Sequence, residues 1–328
     1  MLNLYEPPEE YQHQSSIIKG RESAYNLWVR TTLPDKISKD SHIYLYGVYG
    51  SFVVYIDGQV IYKNIPGKTQ SLQTYYPYQF HLIPIKEAYA GKKITFSNYS
   101  EHFFIGIKGK ILFGPKRDLI VKLIYGDWDF IFIALLFLIF TFWSLVLSFK
   151  ERNPLFISMT FFFFTNIILA IDFVKGKQLV FDSPEFWSYI QLIFSPLSVI
   201  AGFIFVEQLI GGNKVIRRTW QVMAIYLAFS LVFSKINPIF ESAGAFALLP
   251  IAMTILLAVI IRLTFKGDPI AKILVSGFII VFLLVLYDLS IRIGVVPWSQ
   301  PVGHWGVMIF SLFVWRATFK IRGTLEKA

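Results

Sequence analysis

The chain has 328 residues, of which 55% are hydrophobic and 16% are charged. An ordinary soluble domain is about 45–50% apolar and about 25% charged, so this composition favours a membrane protein. The net charge of +10 is then explained by contacts with anionic lipid at a membrane surface, and a nucleic-acid partner is not expected. The absence of cysteine excludes disulfides, thiol nucleophiles and thiolate-bound zinc.

The amino-terminal third of the chain has the pattern of β-strands. From Ser23 onward, short runs rich in Val, Ile, Tyr and Trp alternate with period two and are separated by Gly, Pro and Asp. The pair Asp57-Gly58 lies between FVVYI and QVIY, and it favours a type I′ hairpin because both central residues need positive φ. Seven or eight strands without a helical period predict an all-β sandwich or jelly roll over residues 1–114.

A short connector and a long apolar segment follow the β domain. Residues 115–126 mix charges with apolar residues such as Leu119 and Leu123, and they are too few for a floppy tether. Residues 130–149 are apolar or aromatic apart from one Thr and two Ser. About 20 residues at about 1.5 Å each cross a bilayer core of about 30 Å, so this segment predicts a transmembrane helix.

Six further apolar runs predict an all-α domain of seven transmembrane helices over residues 127–320, followed by the start of a cytoplasmic linker at residues 321–328. An odd number of spans places the two termini on opposite sides of the membrane. The seven runs cover residues 130–149, 154–173, 186–209, 220–233, 243–263, 270–291 and 302–319.

Basic residues in the loops predict the orientation of these helices. If the β domain is outside, twelve Lys and Arg residues lie on the inner side and four lie on the outer side. The β domain is therefore predicted to be extracytoplasmic and the carboxy terminus cytoplasmic. The inner residues are Lys150, Arg152, Lys214, Arg217, Arg218, Arg262, Lys266, Lys272, Arg316, Lys320, Arg322 and Lys327, and the outer ones are Lys175, Lys177, Lys235 and Arg292.

Both ends of the chain predict a longer gene product. Residues 1–14, MLNLYEPPEEYQHQ, lack the apolar core of a signal peptide. A large domain that crosses the membrane ahead of the first span usually needs an export signal, so we expect one that was removed or trimmed before Met1. The last residues, TFKIRGTLEKA, leave the membrane as a charged stretch of helix, and we expect the chain to continue.

Ionisable residues within the predicted spans are the first candidates for function, because a charge at bilayer depth costs a few kcal/mol unless it faces the bundle interior. Asp172, Asp288, Arg292 and His304 are predicted at similar depth near the outer ends of three spans. Together they form a candidate ligand pocket that faces outward, or a seat for the β domain. The alternative is that Asp288 pairs with Arg292, four residues along one helix face, and only holds the bundle together.

Glu207 is the corresponding candidate at the inner side. It lies near the end of the third span and faces loops that contain Arg217, Arg218 and Arg262. A Glu–Arg contact that changes with helix position is a candidate for coupling an outside event to the tail. The alternative is a plain ion pair at the interface.

Trp28, Tyr75 and Tyr76 are the candidate ligand residues of the β domain, because flat aromatic faces stack on sugar rings. Tyr75 and Tyr76 lie in a predicted loop, whereas aromatic residues on strands more often belong to the core or the sheet surface. The histidines lack the spacing of metal ligands, and no phosphate-binding glycine loop or nucleophile motif is present. The chain is therefore predicted to have no catalytic activity, metal or cofactor.

Three stretches carry a resemblance to a known family: LWVRTTLP at residues 27–34, LYGVYGSFVVYIDGQVIY at 45–62 and YPYQFHLIPI at 76–85. With the order of the domains, they resemble the bacterial seven-transmembrane receptors with diverse intracellular signalling modules. The resemblance implies an extracytoplasmic jelly roll related to galactose-binding and carbohydrate-binding modules, seven helices in the bacterial inner membrane, and a cytoplasmic output domain. The resemblance implies that this output domain lies beyond Ala328.

The predicted function is that of a transmembrane sensory receptor module. The resemblance implies an output enzyme beyond Ala328, first a nucleotide cyclase such as adenylate cyclase, otherwise a diguanylate cyclase, histidine kinase or phosphatase. It also implies two-fold assembly, because such outputs work as dimers. The rival interpretations are a transporter or channel, which flux in proteoliposomes would favour, and a membrane-anchored envelope-binding protein, which predicts that Asp288→Asn leaves every signalling readout unchanged.

Overall fold

The computed structural model describes residues 25–64, 79–100, 106–107, 111–233, 248–292, 295–296 and 302–325. The chain forms two compact units. The first comprises Met1–Trp128 and Phe173–Ser188, and the second comprises Asp129–Asp172 and Tyr189–Ala328. The chain therefore passes between the units three times, after residues 128, 172 and 188.

The described part of the first unit contains nine strands. They are β1 (Tyr25–Thr32), β2 (Ser41–Tyr46), β3 (Val48–Tyr49), β4 (Ser51–Ile56), β5 (Gln59–Asn64), β6 (Phe80–Pro84), β7 (Lys93–Ser100), β8 (Gly106–Ile107) and β9 (Leu112–Pro115). One sheet has the order β1-β7-β4-β5, a second has the order β6-β2-β9, and β3 pairs with β8. All of these pairs are antiparallel.

The alternation of side chains along the strands decides which faces are buried. In β4, Phe52, Val54 and Ile56 are buried, and the residues between them are partly exposed. They share one hydrophobic core with Leu45 and Ile83 of the three-stranded sheet. The prediction of a β-rich amino-terminal region is confirmed.

The hairpin between β4 and β5 follows from local backbone chemistry. Asp57 and Gly58 both have positive φ, at 47° and 81°, which a type I′ turn requires. The predicted turn is confirmed, and it places β5 at an edge of the four-stranded sheet.

The first helix, α1 (Lys116–Gly126), follows β9 directly. Leu119 and Leu123 are four residues apart and so lie on one face of the helix. Both are buried in a second hydrophobic cluster with Tyr44, Phe80 and Leu112 of the three-stranded sheet. The residues predicted as a connector are therefore a helix that packs on the sheet.

Seven further helices follow in the described residues: α2 (Trp128–Glu151), α3 (Pro154–Phe173), α4 (Pro184–Leu209), α5 (Lys214–Phe233), α6 (Leu249–Phe265), α7 (Ala271–Arg292) and α8 (Gly303–Leu325). By length and composition, four of these contain a segment suited to crossing a membrane, in α2, α3, α4 and α7. The apolar α6 has 17 residues and is shorter. A helical membrane region after the β unit is confirmed.

Short turns join α2 to α3, α4 to α5, and α6 to α7. In each turn a residue with positive φ precedes an Asn or Asp, whose side-chain oxygen accepts a backbone N–H of the next helix, as in an N-cap. The three pairs are Arg152 with Asn153, Gly212 with Asn213, and Gly267 with Asp268. These turns fix the end of one helix to the start of the next.

Candidate functional site

The segment Phe173–Ser188, which joins α3 to α4, belongs to the first unit. The amide oxygen of Gln178 accepts a hydrogen bond from the N–H of Phe80 at 2.8 Å, and its amide nitrogen donates to the Phe80 carbonyl at 3.2 Å. Phe80 begins β6, an edge strand, and edge strands have backbone groups without a strand partner. Gln178 therefore fastens the 173–188 segment to the sheet.

A second attachment involves Asp127, the buried residue between α1 and α2. Its Oδ2 accepts a hydrogen bond of 2.7 Å from the N–H of Gly176. The Lys175 ammonium lies 3.9 Å from its Oδ1 and 5.0 Å from the centre of the Tyr46 ring. Burial and the negative charge of Asp127 together raise the pKa of the Tyr44 hydroxyl.

Aromatic contacts stabilise the carboxy-terminal part of the 173–188 segment. Trp187 donates its indole N–H to the carbonyl of Phe181 at 3.0 Å, and its ring stands perpendicular to that of Phe186. The Lys177 ammonium lies 4.4 Å from the centre of the Trp187 ring. The segment is thus an ordered part of the first unit, held by polar and aromatic contacts along its length.

A buried polar group lies inside the first unit beside Phe52. The His81 ring meets Phe52 edge-on at 4.8 Å, and its Nδ1 lies 3.1 Å from the hydroxyl of Tyr62. Burial lowers the pKa of His81 to about 4, since desolvation disfavours the imidazolium. Burial and the charge of Asp182, in the 173–188 segment, raise the pKa of Tyr62.

In the second unit, Asp288 and His304 lie together at the start of α8. Asp288 accepts hydrogen bonds from the N–H groups of Val302 at 2.8 Å and Gly303 at 2.7 Å. Nε2 of His304 lies 3.0 Å from Oδ2 of Asp129, near the start of α2. Asp288 thus satisfies backbone donors that the helix leaves unpaired, and His304 joins α8 to α2.

Asp172 and Arg292 are the other two residues of the predicted outer site. Asp172 is buried in the last turn of α3 and takes part in a polar interaction. The side chain of Arg292 lies outside the described part of the structure, so its pairing with Asp288 stays a prediction.

The helices α2 and α8 lie side by side and run in the same direction. Asp129 meets His304 near their starts, and the Phe140 ring stacks on Trp315 at 4.9 Å further along. On each helix the second contact lies eleven residues after the first, from 129 to 140 and from 304 to 315. Parallel helices in register over about 16 Å explain this equal spacing.

The helices α7 and α8 approach each other closely at glycines. A Cβ added at Gly306 of α8 would lie 2.9 Å from the Cα of Val281, and one added at Gly277 of α7 would lie 2.7 Å from the Phe313 ring. Small residues at such positions let helix backbones come together in a membrane. The helix α8 is therefore packed closely against the backbone of α7, whereas its described contacts with α2 are made by side chains.

Glu207 makes the main described polar cluster at the opposite end of the bundle. It is 2% exposed, and its two oxygens accept 2.7 Å hydrogen bonds from Nε of Arg217 and from the indole N–H of Trp220. The structure thus joins α4 to α5 through Glu207 and Arg217. Arg218 and Arg262 are exposed at the surface.

On the β unit, Trp28 lies on the outward face of β1. It is 59% exposed, and its ring stacks on Tyr55 of β4 with a centroid distance of 6.0 Å. The other predicted ligand residues, Tyr75 and Tyr76, lie outside the described residues. Within the described ranges no cluster of three or more His, Cys, Asp or Glu is placed to hold a metal ion.

Several residues of these sites were not predicted as partners from the sequence. They are Asp129, Asp127, Gln178 and Trp220, whose partners lie 175, 49, 98 and 13 residues away in the chain. Only the paired aspartates at the start of the first apolar run gave a local signal, since charges there mark the end of a span. Gln178 and Trp220 gave none.

Comparison with known proteins gives one family. Residues 127–317 match the family described as 7TM diverse intracellular signalling. No curated protein and no solved structure matches the chain.

Proposed function

The chain belongs to the 7TM diverse intracellular signalling family, and on that premise we propose that its first unit senses a ligand or partner outside the cytoplasm and its helices pass that event to a cytoplasmic output domain. The matched region is a receptor domain embedded in a membrane and not a catalytic one.

The observation that carries the proposal is the parallel pairing of α2 with α8. The first unit continues through α1 and Asp127 directly into α2, and α8 carries the carboxy-terminal end of the described chain. The contacts His304–Asp129 and Phe140–Trp315 join these two helices along their length. A shift of α2 relative to α8 therefore changes the contacts of the helix that leads to the output, without passing through the rest of the bundle.

The 173–188 segment supports a second path into the bundle. Since this segment is bound to β6 and Asp127, the ends of α3 and α4 are connected to the sensing unit through ordered chain. Residues 115–126 are thus one of three connections, since the chain crosses between the units after residues 128, 172 and 188. A rearrangement of the first unit then acts on α2, α3 and α4 together.

We infer that α2 to α8 are seven spans, with the first unit extracytoplasmic and α8 leading into the cytoplasm of a bacterial inner membrane. Basic residues lie at the short turns after α2, α4 and α6, as the positive-inside rule expects for cytoplasmic turns. The proposed domains are the β-sandwich of a jelly-roll type at residues 1–114, the connector at 115–126, the seven-helix domain at 127–320 and the linker at 321–328.

We propose a carbohydrate-like ligand for the first unit and a nucleotide cyclase as the first candidate for the output, in a two-fold assembly. We propose that four residues position the outer ends of the helices: Asp172, Asp288, Arg292 and His304. We propose that a second group couples the inner ends of the helices: Glu207, Arg217, Arg218 and Arg262. The buried Glu207 carboxylate supports the inner role, since its partners lie on the following helix α5.

The test is to fuse an adenylate cyclase domain after Ala328 and to compare the intact chain with one that lacks residues 1–114. We expect cyclase activity per molecule to change severalfold on deletion. In a control with a long Gly-Ser linker between Ala328 and the cyclase, cyclase activity should be the same with and without residues 1–114. Equal activity of the two directly fused forms would contradict the proposal.

A further inference from the structure

The outward face of the four-stranded sheet has an unusual composition for a solvent-exposed surface. Trp28 is 59% exposed, although burying an aromatic ring of this size is strongly favourable. Its ring is held by Tyr55, two strands away across β7. The strand register places Ser97 beside Trp28 and Thr95 beside Tyr55 on the same face, so that small hydroxyl side chains on β7 leave room for the two rings to meet.

The charge of this face is of one sign. The four strands contain no Asp or Glu, and they contain three basic residues, Arg30, Lys63 and Lys93. Arg30 lies opposite Thr95 in the register, and Lys63 lies opposite Val53. Asp57, in the turn after β4, lies 3.4 Å from Lys92. The face formed by Trp28, Tyr55, Arg30, Lys63, Thr95 and Ser97 is named the aromatic-basic face.

We propose that the aromatic-basic face binds a glycan that carries carboxylates, such as a chain of uronic acids. Sugar rings present C–H groups that pack on aromatic faces, their hydroxyls pair with Ser and Thr, and their carboxylates complement Arg30 and Lys63. The inference rests on the proposed function, since it names the ligand class for the sensing unit.

An anionic membrane surface is the rival occupant with the same charge. Membrane-binding surfaces insert several apolar side chains into the lipid, whereas Ser97 and Thr95 lie along the inner strand β7 of this face and the exposed Val60 lies on its edge strand β5. The hydroxyl groups of β7 beside the two rings therefore favour a polar, ring-shaped ligand over lipid.

The test uses the full chain in nanodiscs of zwitterionic lipid and measures binding to polygalacturonate and to its methyl ester, which has the same backbone without the charge. We expect the ester to bind at least about tenfold more weakly, and Trp28→Ala to weaken polygalacturonate binding about tenfold. Arg30→Gln and Lys63→Gln should each weaken it about threefold, as expected for exposed charges. The exposed Lys39, in the turn before β2, provides the matched control Lys39→Gln, which should bind as the unaltered chain does.

Three results would overturn the inference. They are equal binding of the polymer and its ester, unchanged binding by both Trp28→Ala and Arg30→Gln, and binding of phosphatidylglycerol vesicles in place of the polymer. Because Arg30 and Lys63 are exposed on edge strands, their variants test the face even if Trp28→Ala fails to fold. If no polymer binds while the fused cyclase still depends on residues 1–114, the glycan inference fails and the receptor proposal stands.

Discussion

At the scale of single residues, long-range partners determine what each polar side chain does. Asp288 was predicted as a pocket residue or as a partner of Arg292, and in the structure it binds the backbone N–H groups at the start of α8. The carboxylate accepts hydrogen bonds from two helix donors, and its negative charge lies at the positive end of the helix dipole, where it is stabilising. In the structure Asp288 therefore positions the start of α8.

His81 gives a pH dependence of stability for the first unit. Burial lowers its pKa to about 4, below the ordinary value of about 6.5 in an unfolded chain. Between these values the unfolded chain binds more protons, so stability is complete above about pH 6.5 and falls toward pH 4, by up to about 3 kcal/mol. Calorimetric unfolding of the full chain should show this loss, and His81→Gln should reduce it. An equally steep loss in the variant would assign the dependence to other groups.

At the scale of elements, the packing of α8 against α2 and α7 is the central feature of the bundle. The α2 contact uses aromatic rings and one His–Asp pair, whereas the α7 contact depends on two glycines. Rings can slide past each other, but the Gly306–Val281 approach leaves no room for a side chain. We infer that α7 and α8 move as a pair relative to α2.

Gly306→Ala tests this packing. In an ordinary helix, Ala is more stable than Gly by about 1 kcal/mol, but here the new Cβ would lie 2.9 Å from the backbone of Val281. The two helices must separate, so we expect a lower unfolding temperature in detergent and altered output of a fused cyclase. Gly202→Ala is the control, because its Cβ would meet only the Phe162 ring, at 3.2 Å. A higher unfolding temperature for Gly306→Ala would contradict the close approach.

Most elements were predictable from the sequence, and their partners were not. Apolar runs predicted the helices, and Asp57-Gly58 predicted a hairpin, because helix length and turn conformation depend on neighbouring residues. The α5 helix begins at Lys214, before the predicted apolar run, because Asn213 caps it. The Gln178–Phe80 and His304–Asp129 contacts join residues 98 and 175 positions apart, and such pairings depend on packing that no local pattern encodes.

At the scale of the whole molecule, the proposed topology predicts which residues can be labelled from each side. The chain has no cysteine, so a single introduced cysteine is a clean probe. In intact spheroplasts, Lys36→Cys in the first unit should react with a membrane-impermeant maleimide. Lys266→Cys, in the short turn after α6, should react only after the membrane is opened. The reverse pattern would invert the proposed orientation.

The central claim is that the sensing unit acts on the output by moving α2 relative to α8. Phe140→Cys and Trp315→Cys place two cysteines where the rings stack at 4.9 Å, and a short membrane-permeant bismaleimide can then join the helices. The measurement is the activity of the fused cyclase with and without residues 1–114, before and after cross-linking, with each single cysteine variant as control. We predict that the two forms differ before cross-linking and have equal activity after it. A difference that survives cross-linking undiminished would contradict the account.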